Sequence, residues 1–166
     1  MFRFGKRGTG MTYEIAIRAR QAEKLVGMKV ATDMEHAMAD CPRLWMEVFG
    51  PRMAEIDSGG SGHSYGISVA TDPVSFAFDY WAAMPLAVDA AIPDGMATLE
   101  LPAGLYAECK VPTLANLGGA YMYLYNEWLP AQQEYRVNMA GLCYEYYIPN
   151  YEDTDPLFIY LPITKA

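Results

Sequence analysis

The residue whose type and position best suit binding chemistry is Glu145, a carboxylate within the run Tyr144-Glu145-Tyr146-Tyr147. The surrounding segment, 142–148, has the pattern of a β-strand, so Glu145 and Tyr147 share one face while Tyr144 and Tyr146 share the other. An unpaired charge is costly to bury, and a carboxylate in such a strand therefore needs a partner or a function. Three interpretations stay open: an edge or surface carboxylate, a structural ion pair with Arg or Lys, or a ligand-binding group.

Aromatic residues on other predicted strands suggest how a site around this carboxylate would be built. Tyr160 lies in the last strand, and Trp81 lies in the corresponding strand of the first half of the chain. A carboxylate among Trp81, Tyr147 and Tyr160 would form an aromatic cage, in which each ring attracts a cation by about 0.5–2 kcal/mol. The Coulomb attraction of the carboxylate grows as water is excluded. Such a cage would bind an organic cation; plain core packing of the rings remains the alternative.

The other reactive residue types do not assemble into a recognisable catalytic or metal site. Gly62-His63-Ser64-Tyr65-Gly66 matches G-x-S-x-G, but a glycine- and serine-rich loop precedes Ser64, a strand-like run follows it, and no histidine follows His63. His36 and His63 are expected to be solvated or structural. The cysteines, Cys41, Cys109 and Cys143, form no C-x-x-C pair, so we predict buried thiols and neither a metal site nor a cofactor.

The composition limits the partners. The formal charge is −8, and because Arg3, Lys6 and Arg7 lie in the first ten residues it becomes three units more negative, −11, from Met11 onward. Such an acidic domain repels phosphate backbones, so nucleic acid is not expected as a direct partner. No stretch is long and apolar enough to span a membrane, and no signal peptide is visible. We expect a cytoplasmic protein with a flexible basic tail at residues 1–10 and one domain at residues 11–166.

The hydrophobic pattern predicts eight strands and two helices in the order β-β-α-β-β, twice. The first helix covers about 32–56 with breaks at Pro42 and Gly50-Pro51, and the second covers about 114–128 and ends at Pro130. The strands are predicted at 13–18, 25–31, 65–70, 78–88, 96–101, 105–111, 142–148 and 157–163.

The two halves align with each other in short blocks, at offsets of 77, 79 and 81 residues. At an offset of 79, Phe49 and Pro51 correspond to Trp128 and Pro130, and Gly66 corresponds to Glu145. We infer a duplication, with a first half at about 11–92 and a second at about 93–166. The predicted fold is therefore α+β: duplicated β-α-β-β-type modules related by a pseudo-two-fold axis, with antiparallel sheets and two main helices around a central ligand groove.

The chain resembles the GyrI-like family, the effector-binding domains of AraC-type regulators. The resemblance rests on segments in a fixed order along residues 13–163: Val26-Gly27-Met28, Leu44-Trp45 through Phe49, Tyr65-Gly66-Ile67, Asp79-Tyr80, Pro93-Asp94-Gly95-Met96, Leu101-Pro102-Ala103-Gly104-Leu105-Tyr106-Ala107, Trp128-Leu129-Pro130, Tyr144-Glu145-Tyr146-Tyr147 and Leu161-Pro162-Ile163. It implies tandem modules around a groove that binds amphipathic, often cationic, drugs and dyes in multidrug-responsive transcription regulators.

The resemblance also implies site residues. The characteristic pocket glutamate of the family falls on Glu145, and its aromatic pocket walls make Tyr160, Tyr147 and Tyr121 candidates. One departure is that family members often carry Ser-Gly-Tyr after Trp-Leu-Pro, where this chain has 131–135, Ala-Gln-Gln-Glu-Tyr. No helix-turn-helix segment is visible, so we expect a stand-alone ligand-binding module.

These observations support three hypotheses of different classes. The first is a non-enzymatic binder of lipophilic organic cations, with Glu145 as the counter-charge. The second is a protein-interaction module, such as a gyrase-inhibitor-like protein, whose acidic surface engages a basic partner. The third is a hydrolase that uses Glu145 and a tyrosine. A homodimer, or a separate DNA-binding or other protein partner, is compatible with each.

Overall fold

The computed structural model describes residues 11–166, which form a nine-stranded antiparallel sheet and two helical segments. The tail predicted at residues 1–10 lies outside the described residues. The strands are Ile15–Arg20 (β1), Glu23–Thr32 (β2), Ser64–Asp72 (β3), Ala77–Pro85 (β4), Ala97–Leu101 (β5), Gly104–Val111 (β6), Tyr135–Val137 (β7), Cys143–Tyr147 (β8) and Leu157–Lys165 (β9).

Both helical segments change their winding along their length. The first segment, 37–55, passes from α-helix to π-helix to 3₁₀-helix, at Ala37–Arg43, Leu44–Phe49 and Gly50–Glu55. The second segment, 114–131, contains 3₁₀-helix, α-helix, π-helix and a last α-helical turn, at Leu114–Asn116, Leu117–Tyr123, Leu124–Trp128 and Leu129–Ala131. The π-helical stretches end at Phe49 and Trp128, residues that the offset of 79 makes equivalent.

The structure contains every predicted strand and both predicted helices, with differences at particular residues. Pro42 lies inside the α-helical turn without ending it, whereas the break predicted at Gly50-Pro51 is confirmed by the change to 3₁₀-helix. The second segment continues one residue beyond Pro130. Strand β7 was not predicted, because three residues are too few for a periodic pattern; β7 pairs with the end of β9.

The strand order is symmetric about the centre of the sheet. The order is β1-β6-β9-β8-β3-β4-β2-β5, with β7 beside β9. Each first-half strand has a second-half counterpart: β1 with β5, β2 with β6, β3 with β8 and β4 with β9. When the members of each pair are exchanged, the result is the same strand order read from the other end. The pseudo-two-fold axis therefore passes between β3 and β8, where Gly66 pairs directly with Glu145. This is the arrangement that a duplication would produce.

Short connections force the sheet to curl. Two residues join β1 to β2 and two join β5 to β6, yet each pair of strands lies six positions apart in the sheet. Such a link reaches roughly 11 Å, whereas six strand spacings in a flat sheet amount to about 29 Å. The sheet can satisfy both links only by bending into a half-barrel that brings its ends together.

The two faces of the curled sheet have different partners. The inner face buries an aromatic core that includes Tyr65, Tyr106 and Tyr144. The link between β1 and β2 closes over this face, because Arg20 and Glu23, which flank it, both hydrogen-bond to Tyr65. The outer face packs against both helical segments, the first through a cluster with β2 and β4, and the second through a cluster with β6 and β9. The helical segments therefore cover the face that carries Glu145.

A substitution at Gly27 tests how closely β2 packs against β4. A Cβ added at this residue would collide with the Ala82 carbonyl oxygen and lie 2.7 Å from Ala83 Cα, both of which are backbone atoms. We expect Gly27→Ala to lower the free energy of unfolding by about 1–3 kcal/mol, measured by urea denaturation. The matched control is Gly118→Ala, where nothing lies within 4 Å of the added Cβ. That exposed helical position should gain up to about 1 kcal/mol. Unchanged stability of Gly27→Ala would contradict the register of β2 and β4.

Candidate functional site

The carboxylate of Glu145 accepts hydrogen bonds from three tyrosine hydroxyls. Tyr80 in β4 donates to Oε1 at 3.2 Å, and Tyr147 in β8 donates to the same oxygen at 2.8 Å. Tyr121, from the second helical segment, donates to Oε2 at 2.6 Å. The carboxylate is thus held by two strands of the sheet and by the helical segment that covers it.

Gly66 leaves the space that the carboxylate occupies. It lies opposite Glu145 on β3, and a Cβ there would collide with the Tyr80 hydroxyl and lie 2.9 Å from Glu145 Oε1. The two residues are equivalent under the internal repeat and sit together at its axis, where two large side chains would compete for one volume. The first half has a glycine at this position and the second half a glutamate because only one large side chain fits at the axis.

Trp45 connects the first helical segment to the same group. Its indole Nε1 donates to the Tyr80 hydroxyl at 2.9 Å, and its ring lies 5.4 Å from the Tyr147 ring in an edge-on arrangement. Trp45 thus fixes the hydroxyl that in turn donates to Glu145. We call these five residues (Glu145, Trp45, Tyr80, Tyr121 and Tyr147) the Glu145 cluster.

Burial dominates the electrostatics of this cluster. Glu145 is 7% exposed. Desolvation raises the pKa of its carboxyl, and the hydrogen bonds from Tyr121, Tyr147 and Tyr80 offset part of that rise because they favour the charged form. Desolvation and the nearby carboxylate raise the tyrosine pKa values well above their usual range, so the hydroxyls stay protonated and remain donors.

No positive side chain neutralises Glu145 within the described part of the chain. The ion pairs among residues 11–166 do not include it, so the sequence-based alternative of a structural pair with Arg or Lys is not what the structure contains. The alternative of an exposed carboxylate is excluded by its burial. One further polar group lies beside the cluster: the Tyr151 hydroxyl is buried without a hydrogen-bond partner among the described residues, and its ring is 4.9 Å from that of Tyr147.

The structure brings together only part of the predicted site. Tyr147 and Tyr121 contact Glu145, whereas Trp81 and Tyr160 lie on the opposite face of the sheet. The register explains this result, since Tyr160 pairs with Tyr144 and Trp81 pairs with Ile67. The predicted placement of Trp81 and Tyr160 in a cage around Glu145 is therefore wrong, because strand alternation fixes faces only once the register is known.

Trp81 and Tyr160 have charged partners of their own in the inner aromatic core. The Tyr160 hydroxyl donates to Glu108 Oε2 at 2.5 Å, and the guanidinium of Arg20 lies 4.7 Å from the Tyr160 ring centre. Lys29 Nζ lies 5.5 Å from the Trp81 ring centre. Trp81 and Tyr160 therefore pack within the curled sheet and do not contribute to the surroundings of Glu145.

Sequence reasoning missed Tyr80 and Trp45 as members of the site. The residue that could have indicated Tyr80 is Gly66. A glycine that pairs with a buried carboxylate leaves space on the same face of the sheet, and another side chain must fill that space. Tyr80 lies on the same face as Ala82, the residue that pairs with Gly66. Trp45 reaches Glu145 only through Tyr80, so no pattern within its own segment reveals the connection.

The remaining sequence candidates do not form a second reactive centre. Ser64 begins strand β3, one residue before the predicted start of that strand, and the next element is strand β4 and not a helix. Both histidines have carboxylate partners, His63 with Glu23 at 3.2 Å and His36 with Asp33 at 2.7 Å. The three thiols are free. Within residues 11–166 there is no group of His, Cys, Asp and Glu suited to a metal ion, and no helix long and apolar enough to cross a membrane.

Comparisons with known proteins agree with the fold. Solved structures with similar folds include SAV2435 bound to tetraphenylphosphonium (14% identity, 93% of this chain and 94% of that chain, TM-score 0.67). The C-terminal domain of EcmrR also matches (14% identity, 94% and 100%, TM-score 0.65), and EcmrR has a structure in complex with DNA. A third is the integron cassette protein VCH_CASS2 from the mobile metagenome of Vibrio cholerae (13% identity, 92% and 97%, TM-score 0.65).

No curated protein sequence matches the chain. The family description that does match, over residues 13–164, is that of the GyrI-like small molecule binding domain. Because this match covers nearly the whole of the described fold, including both helical segments and the Glu145 cluster, the chain belongs to the GyrI-like family of small-molecule-binding domains.

Proposed function

We propose that the domain binds a lipophilic aromatic organic cation and that Glu145 supplies the counter-charge. The observation that carries this proposal is a buried carboxylate with three tyrosine donors and no ion-pair partner among residues 11–166. Hydroxyl groups stabilise a buried charge only in part, because they supply dipoles and no net positive charge. A cation beside the carboxylate would supply that charge in a site from which water is largely excluded.

The rings around Glu145 favour an aromatic cation over a small inorganic one. Trp45, Tyr121, Tyr147 and Tyr151 present apolar ring surface close to the carboxylate. Rings attract cations through their electron-rich faces, by about 0.5–2 kcal/mol per contact. The acidic charge of the domain adds a long-range attraction for positive ligands.

The structural neighbours support the same ligand class. SAV2435 has been solved with tetraphenylphosphonium, an aromatic monocation, and EcmrR carries a similar domain and binds DNA. We infer that this chain acts as an effector-binding module of the same general kind. Entry of a ligand requires movement of Tyr121 or Trp45, since these side chains cover the carboxylate from the two helical segments.

The proposal predicts that Glu145 sets the preference for charge. Methyltriphenylphosphonium and triphenylphosphine oxide are a matched pair that differs mainly in charge, and their binding can be followed by tryptophan fluorescence. We expect the wild-type protein to prefer the cation, and Glu145→Gln to lose about 1–3 kcal/mol of that preference, because a neutral amide replaces a charged hydrogen-bonding group.

The matched control for this titration is Glu108→Gln. Glu108 also accepts a tyrosine hydrogen bond, but it does so from Tyr160 on the other face of the sheet. Its replacement should leave the preference for the cation unchanged. Equal binding of both ligands to wild type, or an unchanged preference in Glu145→Gln, would contradict the proposal.

The raised pKa of Glu145 predicts a pH-dependent stability. Because desolvation raises the pKa in the folded state above its unfolded value, the folded protein holds the proton more tightly. The stability contributed by this group is complete below the unfolded pKa and is lost as pH rises through the folded pKa. Glu145→Gln cannot lose a proton, so its stability relative to wild type should increase over that interval. Urea denaturation between pH 4 and pH 8 measures the difference, and a difference independent of pH would show that the carboxyl pKa is not raised.

A further inference from the structure

A cleft lies away from the Glu145 cluster, between β1 and the end of the second helical segment. Its volume is about 580 Å³, and it is lined by Ile15, Ile17, Trp128 and residues 132–135. None of these residues belongs to the Glu145 cluster. We propose that this cleft binds a small alkylguanidinium molecule, with Glu134 as its carboxylate partner.

The first half of the chain shows how such a group would be held. At the offset of 79 that aligns Phe49 with Trp128, Arg52 aligns with Ala131, and Glu55 aligns with Glu134. Arg52 Nε and Nη2 donate to the two Glu55 carboxylate oxygens at 2.7 Å and 2.9 Å.

The same guanidinium also reaches the neighbouring strand connection. Arg52 Nη2 donates to the Asp94 carbonyl oxygen at 2.7 Å, just before β5. Strand β5 is the counterpart of β1, which lines the cleft in the second half. The first half therefore places a guanidinium between the end of its helical segment and the connection that leads into β5.

The second half lacks this guanidinium, and Glu134 lines the open cleft instead. Ala131 has no side chain that could reach Glu134, and the ion pairs among residues 11–166 do not include Glu134. The backbone also differs here: the first segment continues as 3₁₀-helix to Glu55, whereas the second ends at Ala131. Phe49 is completely buried, but its counterpart Trp128 is only partly buried and faces the cleft.

The lining matches the chemistry of an alkylguanidinium. Its planar, charged end can donate two parallel hydrogen bonds to a carboxylate and stack on the Trp128 or Tyr135 ring, while its alkyl part lies against the isoleucines. The Gln132 amide does not compete for Glu134, because it is bonded to the Leu129 and Tyr135 carbonyls and to the Tyr135 N–H. The volume is in the range of small-molecule sites.

Proton NMR of the three tryptophan indole N–H groups provides a direct test in the full chain. Trp45 lies in the Glu145 cluster, Trp81 in the inner core and Trp128 in the cleft, so their indole N–H signals report on three separate places. On titration with n-butylguanidinium we expect the Trp128 signal to shift while the other two do not. The neutral analogue n-butylurea should bind several-fold more weakly.

Two variants identify the group that recognises the cation. Glu134→Gln should weaken n-butylguanidinium binding by about two- to fivefold, the range expected for an ion pair with an exposed carboxylate. The control Glu100→Gln removes a carboxylate from an exposed position on β5 and should bind as wild type does. Ala131→Arg should weaken binding further than Glu134→Gln, because it supplies a guanidinium within the chain, as Arg52 does in the first half.

Three results would overturn the inference: an unmoved Trp128 signal, equal responses to n-butylguanidinium and n-butylurea, or unchanged binding in Glu134→Gln. Glu145→Gln should leave the Trp128 response intact, so this site and the Glu145 cluster can fail or succeed separately.

Discussion

Glu145 lies where the two halves of the sheet meet, and the arrangement around it depends on burying one carboxylate at that place. Near the axis of a duplicated fold, equivalent residues face each other, so a large side chain on both strands would clash. The chain resolves this conflict with a glycine on β3 and a glutamate on β8. The charge then needs donors, which come from β4, from β8 and from the second helical segment. A packing constraint has thus produced a charged site at the centre of an otherwise apolar layer.

The curl of the sheet separates the roles of its two faces. The two-residue connections draw the ends of the sheet together and enclose an inner aromatic core, in which Tyr65 and Tyr160 are hydrogen-bonded to Glu23 and Glu108. That face is closed by the molecule itself. The outer face is covered by helical segments, whose side chains can move without breaking the strand ladder. We therefore place the proposed ligand site on the outer face, where Glu145, Tyr80 and Tyr147 lie beneath the helical segments.

Much of this architecture can be predicted from the sequence, and the predictions that are wrong share one cause. Alternation and helical periodicity locate the strands and both helices, and the internal repeat pairs Gly66 with Glu145. Strand alternation also placed Tyr147 beside Glu145 correctly, and the resemblance to the GyrI-like family pointed to Tyr121. What the sequence could not supply was the register across the sheet. Trp81 and Tyr160 were assigned to the Glu145 face for that reason, and Tyr80 was overlooked, although all three lie within strands that were predicted correctly.

Glu145 is a buried carboxyl, and we propose that a bound organic cation stabilises its charged form. Carbon-13 NMR of the glutamate carboxyl groups, assigned to Glu145 by comparison with Glu145→Gln, can follow its titration with and without methyltriphenylphosphonium. In the free protein we expect a pKa above the usual range for glutamate, because burial disfavours the charge. In the complex we expect a lower pKa, because the cation favours the carboxylate. A pKa that is the same with and without bound ligand would show that no cation binds beside Glu145.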